Sequence, residues 1–204
     1  MEKVRAAVIS IGNMGSAHVN CIGGHRIDGL ELVAACDIAP ERLNYLKTNF
    51  PSVRPYANWR EVLKQPDIDA VVIAVPHPLH GTIAIAAMEA GKHVFSEVLP
   101  VQTPAQAVEL VEAVERTGKI YAYGENYCYM PAPYEMRRLY RQGKVGEFEY
   151  AEGEYIHNCE PCWAGISYGD PNHWRNNMFS TFYCTHSFGP IIHITGLRPV
   201  SVTG

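Results

Sequence analysis

Ser10-Ile11-Gly12-Asn13-Met14-Gly15-Ser16-Ala17-His18 decides how this chain is read. It follows an apolar run from Val4 to Ile11 and leads into a helical pattern. Its form is G-x-G-x-x-G, with Ser10 in the place of the first glycine. Gly12 would let the backbone approach a diphosphate, and Gly15 would let the helix pack closely on the strand. The helix start then offers unpaired N–H groups and a positive dipole end to the phosphates. Asp37 closes the second apolar run, at roughly the 20-residue spacing of an acidic residue that grips a ribose. Ile11, Gly12, Asn13, Met14, Gly15 and Asp37 therefore read as a dinucleotide site, with NAD favoured over NADP. The other reading open to these residues is an ordinary glycine-rich turn, with Asp37 capping the next helix.

Outward from the loop, short apolar runs alternate with helical patterns. Strands are expected over 4–11, 30–36, 70–75, 93–95 and 120–123, apolar nearly throughout, as strands covered on both faces must be. Helices are expected over 40–49, 79–90 and 103–117, the last opening on Thr103-Pro104 and stopping at Gly118. This alternation implies right-handed crossovers and a doubly wound parallel sheet of the Rossmann type over residues 1–122. Pro76 and His80 follow the run over 70–75 and fall at the carboxyl edge of that sheet, where open α/β folds bind ligands. The alternative there is a proline-shaped helix start with His80 exposed.

Composition narrows the class. The chain has 204 residues, 47% hydrophobic and 19% charged, which is globular rather than disordered. Its net charge of −4 argues against a nucleic-acid partner, which usually meets a basic surface. No apolar run approaches membrane-span length, and the start has no signal-peptide core, so six cysteines read as reduced thiols in a cytoplasm.

Residues 123–204 read as a second domain. Ten of the twelve tyrosines fall between Tyr121 and Tyr183. A helix over 133–142, an alternating strand over 147–157, a helix over 185–195 and a strand over 198–202 are expected. Tyr155 and His157 are two apart on that strand, so they share a face. That face is either a site or a solvated or dimer-buried surface. Cys159-Glu160-Pro161-Cys162 lies beside His157, but a structural zinc site wants four ligands and no second Cys pair stands nearby. A thioredoxin-like motif should open a helix, and here the sequence reads as continuing into a loop. No metal is expected.

The loop, Asp37, Pro76-His77-Pro78-Leu79-His80, Gly91-Lys92-His93-Val94-Phe95-Ser96-Glu97 and Gly143-Lys144-Val145-Gly146-Glu147 together resemble the glucose-fructose oxidoreductase/inositol dehydrogenase (Gfo/Idh/MocA) family across the chain. The resemblance implies an N-terminal Rossmann domain and an α/β second domain with a mostly antiparallel sheet. It implies NAD as cofactor, held by the loop residues with Pro76, His80, Glu97 and Asn126. It implies a sugar or polyol substrate, oxidised or reduced at a carbon bearing a hydroxyl. Family members continue beyond a position like Gly204. From this follow an incomplete second sheet, an exposed sheet edge and a homo-oligomer through the second domain.

Two departures matter. The family's Glu-Lys-Pro is Glu97-Val98-Leu99-Pro100 here, so Val98 stands at the lysine. The family's helical D-x-x-x-H is Phe182-Tyr183-Cys184-Thr185-His186, which keeps only the histidine. Removing a hydroxyl proton needs a base, so the work falls to His186 or Tyr183. Glu125-Asn126, Gly153-Glu154-Tyr155-Ile156-His157, Arg175-Asn176-Asn177 and the stretch Tyr183 to Pro190 resemble the NAD-dependent α-N-acetylgalactosaminidases of the same structural family, which also carry Glu-Val. In them NAD briefly oxidises a sugar hydroxyl, the neighbouring C–H becomes acidic and the glycosidic substituent is eliminated. By this resemblance Tyr155, His157, Tyr183 and His186 act on the sugar, and Glu125 holds its hydroxyls. Trp174 and Arg175 reach substrate or nicotinamide, or else anchor their loop. Three functions follow: an NAD-dependent sugar or polyol oxidoreductase, a glycoside hydrolase using NAD catalytically, and a non-catalytic NAD-binding protein.

Overall fold

Alternate residues of β1 (Val4–Ile9) fill two separate cores. In the computed structural model, which describes residues 3–178 and 183–203, Ala7 and Ile9 join Ala34 and Cys36 of β2 (Leu30–Cys36), Val71 and Ile73 of β4 (Ala70–Ile73) and Val94 of β5 (His93–Ser96). This layer lies under α3 (Trp59–Leu63), α4 (His80–Glu89) and α5 (Pro104–Thr117), through Val62, Ile83, Met88 and Leu110 among others. Val8, Leu32, Ala35 and Val72 form the opposite core with Val19 and Ile22 of α1 (Asn13–Gly23) and Leu46 of α2 (Pro40–Asn49). Leu32 and Ala35 share a face because the register slips past Val33, pairing Ala6 with Leu32 and Ala7 with Ala34. A one-residue bulge of this kind reverses the alternation.

The sheet is parallel throughout, in the order β3-β2-β1-β4-β5-β6, with β3 at Arg54–Tyr56 and β6 at Tyr121–Tyr123. The strand order reverses between β1 and β4, so the loops after these two strands flank the crevice where such sheets bind ligands. The expected doubly wound fold is present. The sequence reading missed β3 and α3. β3 is three residues long with Pro55 at its centre, a residue tolerated only at a sheet edge, where β3 lies.

Strand β1 stops at Ile9, two residues before its expected end, because Ser10 turns into the left-handed region at φ +75°. That turn brings the Ser10 carbonyl against Gly15, where a Cβ would lie 1.9 Å from the oxygen. Gly15 is thus a steric requirement of the loop. The turn after β4 is clamped from within. His80 is buried, with Nε2 2.6 Å from the Val75 carbonyl oxygen and Nδ1 2.6 Å from that of Leu99. Burial lowers its pKa against the pull of those carbonyls. Helix α5 opens as expected: the Thr103 side chain accepts the Gln106 N–H at 3.2 Å, and the Gln106 side chain returns an acceptor to the Gln102 N–H at 2.9 Å.

The chain divides into two units, Met1–Gly124 and Glu125–Gly204. In the second lie α6 (Pro131–Arg141), α7 (Trp163–Ile166) and α8 (Cys184–Thr195), with α6 packed on α8. The strands expected over 147–157 and 198–202 do not form, and among the described residues this unit has no antiparallel sheet. Alternating side chains encode a face, but a strand exists only beside a hydrogen-bonding neighbour, and residues 147–157 have none among the described residues. Tyr150 and Ile156 accordingly stay exposed.

Two predictions test this layout. Ser10→Gly relieves a left-handed strain of about 1–2 kcal/mol, less about 0.4–1 kcal/mol of unfolded-state entropy. It raises the thermal midpoint, whereas Gly15→Ala lowers it; scanning fluorimetry on both reads the sign. The second concerns acid. An unfolded histidine titrates near 6.5, and folded His80 below that, so in this window the unfolded chain binds the extra proton. Stability therefore falls as pH drops below about 6.5. Urea midpoints across pH 7 to 5 measure the slope, which is shallower in His80→Gln.

Candidate functional site

The glycine loop follows from what the strand ends leave unpaired. The Ile11 N–H donates to Asp37 Oδ2 at 2.6 Å, and Ala39 N–H donates to Oδ1 at 2.9 Å. Arg42 reaches Oδ2 at 3.2 Å. Asp37 is buried, so its carboxylate first shapes the loop; a carboxylate offers about four acceptor positions, and these three bonds leave room for one more. Cys36, just before it, is no nucleophile: burial and then the Asp37 charge push its thiol up to about 12.

Gly12 stands at the N-cap of α1, which has no side-chain cap. The N–H groups of the first helical turn therefore face outward without an intrahelical partner. A Cβ at Gly12 would lie in ordinary van der Waals contact with Arg42 and Ser10 Oγ, at 3.6 and 3.7 Å, and among the described residues meets no non-neighbouring backbone atom within 3.7 Å. Asn13 and Met14 are exposed beside it. This donor set, a bare helix start next to an acidic strand end, fits the diphosphate and ribose of a dinucleotide.

The other expected cofactor residues are placed differently. Pro76 is exposed at the mouth of the turn after β4. Each ring nitrogen of His80 has a backbone carbonyl oxygen 2.6 Å away, of which the neutral ring donates to one, so the side chain is turned into that turn rather than offering a polar atom outward. Glu97, after β5, pairs with His18 of α1 at 2.7 Å, Oε1 to Nε2. Sequence reasoning assigned no role to His18; its position one helical turn past Gly15 was the available signal. Val98 beside Glu97 is buried and apolar, so nothing titrates at that position.

The second unit carries a buried histidine–carboxylate pair. His186, in the first turn of α8, places Nδ1 2.6 Å from Glu125 Oε1, with both side chains less than a tenth exposed. A carboxylate only accepts, so Nδ1 carries the hydrogen and Nε2 is the basic nitrogen. Glu125 is held in turn by the Tyr127 N–H on Oε1 at 3.2 Å, while Oε2 is buried without a partner among the described residues. Glu125 was expected to hold sugar hydroxyls; its Oε1 instead orients His186.

Tyrosines ring this pair. The centroids of Tyr155, Tyr127 and Tyr183 lie 4.5, 4.7 and 5.4 Å from that of His186. His157 meets Tyr155 edge-on at 4.4 Å, and Tyr155 stacks on Tyr183 at 5.9 Å. The extended chain reaches this cluster because residue 153 is glycine: a Cβ there would lie 2.4 Å from the Ser187 carbonyl oxygen of α8. Burial, and then the neighbouring Tyr127 and Tyr183, raise the Tyr155 pKa, so this hydroxyl stays a donor. Arg175 stacks over Trp174 at 4.4 Å and reaches the Tyr183 hydroxyl at 3.5 Å. Asn126 is exposed at the start of the turn after Glu125. Four expected residues, Tyr155, His157, Tyr183 and His186, thus come together, and Tyr127 joins them unforeseen. Phe182, at the family's aspartate, lies outside the described residues. Among the described residues no group of three or more His, Cys, Asp or Glu could hold a metal, and no helix is long and apolar enough to cross a membrane.

Comparison with known proteins fits this geometry. Residues 4–125 match the family model described as "Oxidoreductase family, NAD-binding Rossmann fold" (GFO_IDH_MocA). A "Glycosyl hydrolase family 109 protein" of Porphyromonas gingivalis is 31% identical over 97% of this chain and 44% of its own length. One from Bacteroides fragilis is 32% identical over the same shares. The chain thus spans less than half the length of these relatives. Among solved structures, myo-inositol 2-dehydrogenase from Lactobacillus plantarum superposes with a TM-score of 0.77 at 25% identity, over 98% of this chain and 58% of that one. Scyllo-inositol dehydrogenase from Lactobacillus casei with bound NAD(H) and scyllo-inositol reaches 0.81 at 20% identity, over 96% and 57%, a likeness of fold. With the family's dinucleotide loop, sheet order and residues 4–125 all in place, the chain belongs to the Gfo/Idh/MocA family of oxidoreductases with an NAD-binding Rossmann fold.

Proposed function

We propose that this chain acts on a sugar with NAD as a catalytic partner, cleaving a glycosidic bond with no net redox change. The observation that carries the reading is the buried His186–Glu125 pair inside its ring of tyrosines, in a chain whose family lysine is Val98. The likeness to glycosyl hydrolase family 109 proteins over nearly the whole chain supports it.

The first unit would hold the dinucleotide with the backbone from Ile11 to Gly15 and with Asp37. Bound NAD supplies a hydride acceptor that can return what it takes. The second unit handles protons. His186 Nε2 takes the hydroxyl proton of the sugar, and the Glu125 carboxylate stabilises the imidazolium that results. Once the hydroxyl carbon is a ketone, the adjacent C–H is acidic; His157 takes that proton while the glycosidic substituent departs, and water then adds across the double bond left behind, so the cleavage is a net hydrolysis. Tyr155 keeps its proton at neutral pH and so suits the role of acid to the leaving oxygen. Tyr183 flanks it as an orienting group. Aromatic faces also suit the apolar faces of sugars.

Net dehydrogenation of a sugar or polyol is the second reading. One base suffices for that reaction, and the same His186–Glu125 pair provides it.

A panel of nitrophenyl glycosides and free sugars, each incubated with NAD, separates the two. Nitrophenol release without accumulating NADH is expected; stoichiometric NADH instead selects the dehydrogenase, and neither product from protein that binds NAD removes both. His186→Ala should cost turnover on the order of 100- to 10,000-fold. Glu125→Ala should lower turnover and also destabilise by about 1–3 kcal/mol, because it leaves a buried donor unpaired. Glu125→Gln keeps the volume and shows how much of the loss is charge.

A further inference from the structure

Cys159-Glu160-Pro161-Cys162 was expected to run into a loop. Instead the Cys162 N–H donates to the Cys159 carbonyl at 3.0 Å, and Cys162 is the N-cap of α7. A closed four-residue turn of this kind brings its end Cα atoms within about 7 Å. Disulfides span about 4.4–6.8 Å between Cα atoms, so the turn already holds the two residues in range. The Cys162 thiol donates to the Cys159 carbonyl oxygen at 3.4 Å, which turns it back toward its partner residue. Cys162 is exposed and Cys159 half-buried, so an external reagent can reach the pair. Cys36 and Cys128 are buried, and burial raises both thiols; Cys184 is exposed and Cys21 half-buried, but neither has a second cysteine within its own turn.

We propose that Cys159 and Cys162 are a redox-active dithiol, closed to a disulfide by exchange with a low-molecular-weight disulfide such as glutathione disulfide. The Cys162 thiolate attacks one sulfur of the reagent and displaces its first thiol. The Cys159 thiolate then attacks the Cys162 sulfur, breaks the mixed disulfide and releases the second thiol. Two protein sulfurs are oxidised, two reagent sulfurs are reduced, and the two protons pass to the released thiols. The bridge sits directly downstream of the site cluster. Cys159 lies four residues past Tyr155 and is among the groups that raise the Tyr155 pKa.

The dithiol does not depend on the glycosidase reading, since its test reads sulfur. Reduced protein is titrated with glutathione disulfide and followed by intact mass, peptide mapping and the fluorescence of Trp163, the residue next to Cys162. The expected result is a Cys159–Cys162 linked peptide two hydrogen masses lighter than its reduced form and quenched fluorescence, both reversed by dithiothreitol. Cys162→Ser and Cys159→Ser should each halt at a single glutathione adduct or none. A persistent mixed disulfide at Cys159 or Cys162 in the unsubstituted protein, a bridge from either to another cysteine, or both thiols left unreacted would overturn the proposal.

Discussion

One buried carboxylate ties the nucleotide face together. Asp37 stands at the end of β2, yet its oxygens hold the N–H of Ile11 after β1 and that of Ala39 before α2. Hydrogen bonds to an ionised acceptor are shorter and about twice as strong as neutral ones, and the 2.6 Å contact to Ile11 is of that kind. This bond fixes Ile11 just ahead of the bare start of α1, together with the Ser10 N–H on the Cys36 carbonyl and the Ser16 hydroxyl on the Ile11 carbonyl, so the residue that would select the ribose also helps build the loop. Any exchange at 37 aimed at the cofactor alone must therefore also answer for the loop's shape.

The second unit solves a different problem. It keeps a histidine and a carboxylate out of water by pairing them with each other. The cost of burying Glu125 is met at Oε1 by His186 and the Tyr127 N–H, and Oε2 stays unpaired among the described residues.

Much of the first unit was legible in the chain. Helix 40–49 and strand 30–36 match residue for residue, because apolar runs, a first-turn proline and clear breakers mark their ends. Ser10 hid the early end of β1, since a serine gives no hint that its φ is positive. β3 was invisible because three residues with a proline at the centre carry no period. In the second unit the tyrosines were readable as a cluster, but the Glu125–His186 pair spans 61 residues and leaves no local trace. The strand over 147–157 misled for a related reason: alternation records which side of a segment is apolar, and only tertiary structure decides whether a neighbour lies alongside. His80 looked like a ligand by position, and only the fold brings a carbonyl oxygen against each of its nitrogens.

Pro55 has a bearing on the molecule's neighbours in solution. At the middle of the outermost strand it supplies no N–H where an incoming β-segment would need one. A strand from another polypeptide that docked there would lose its central rung, so on this flank the first unit resists end-to-end joining into filaments.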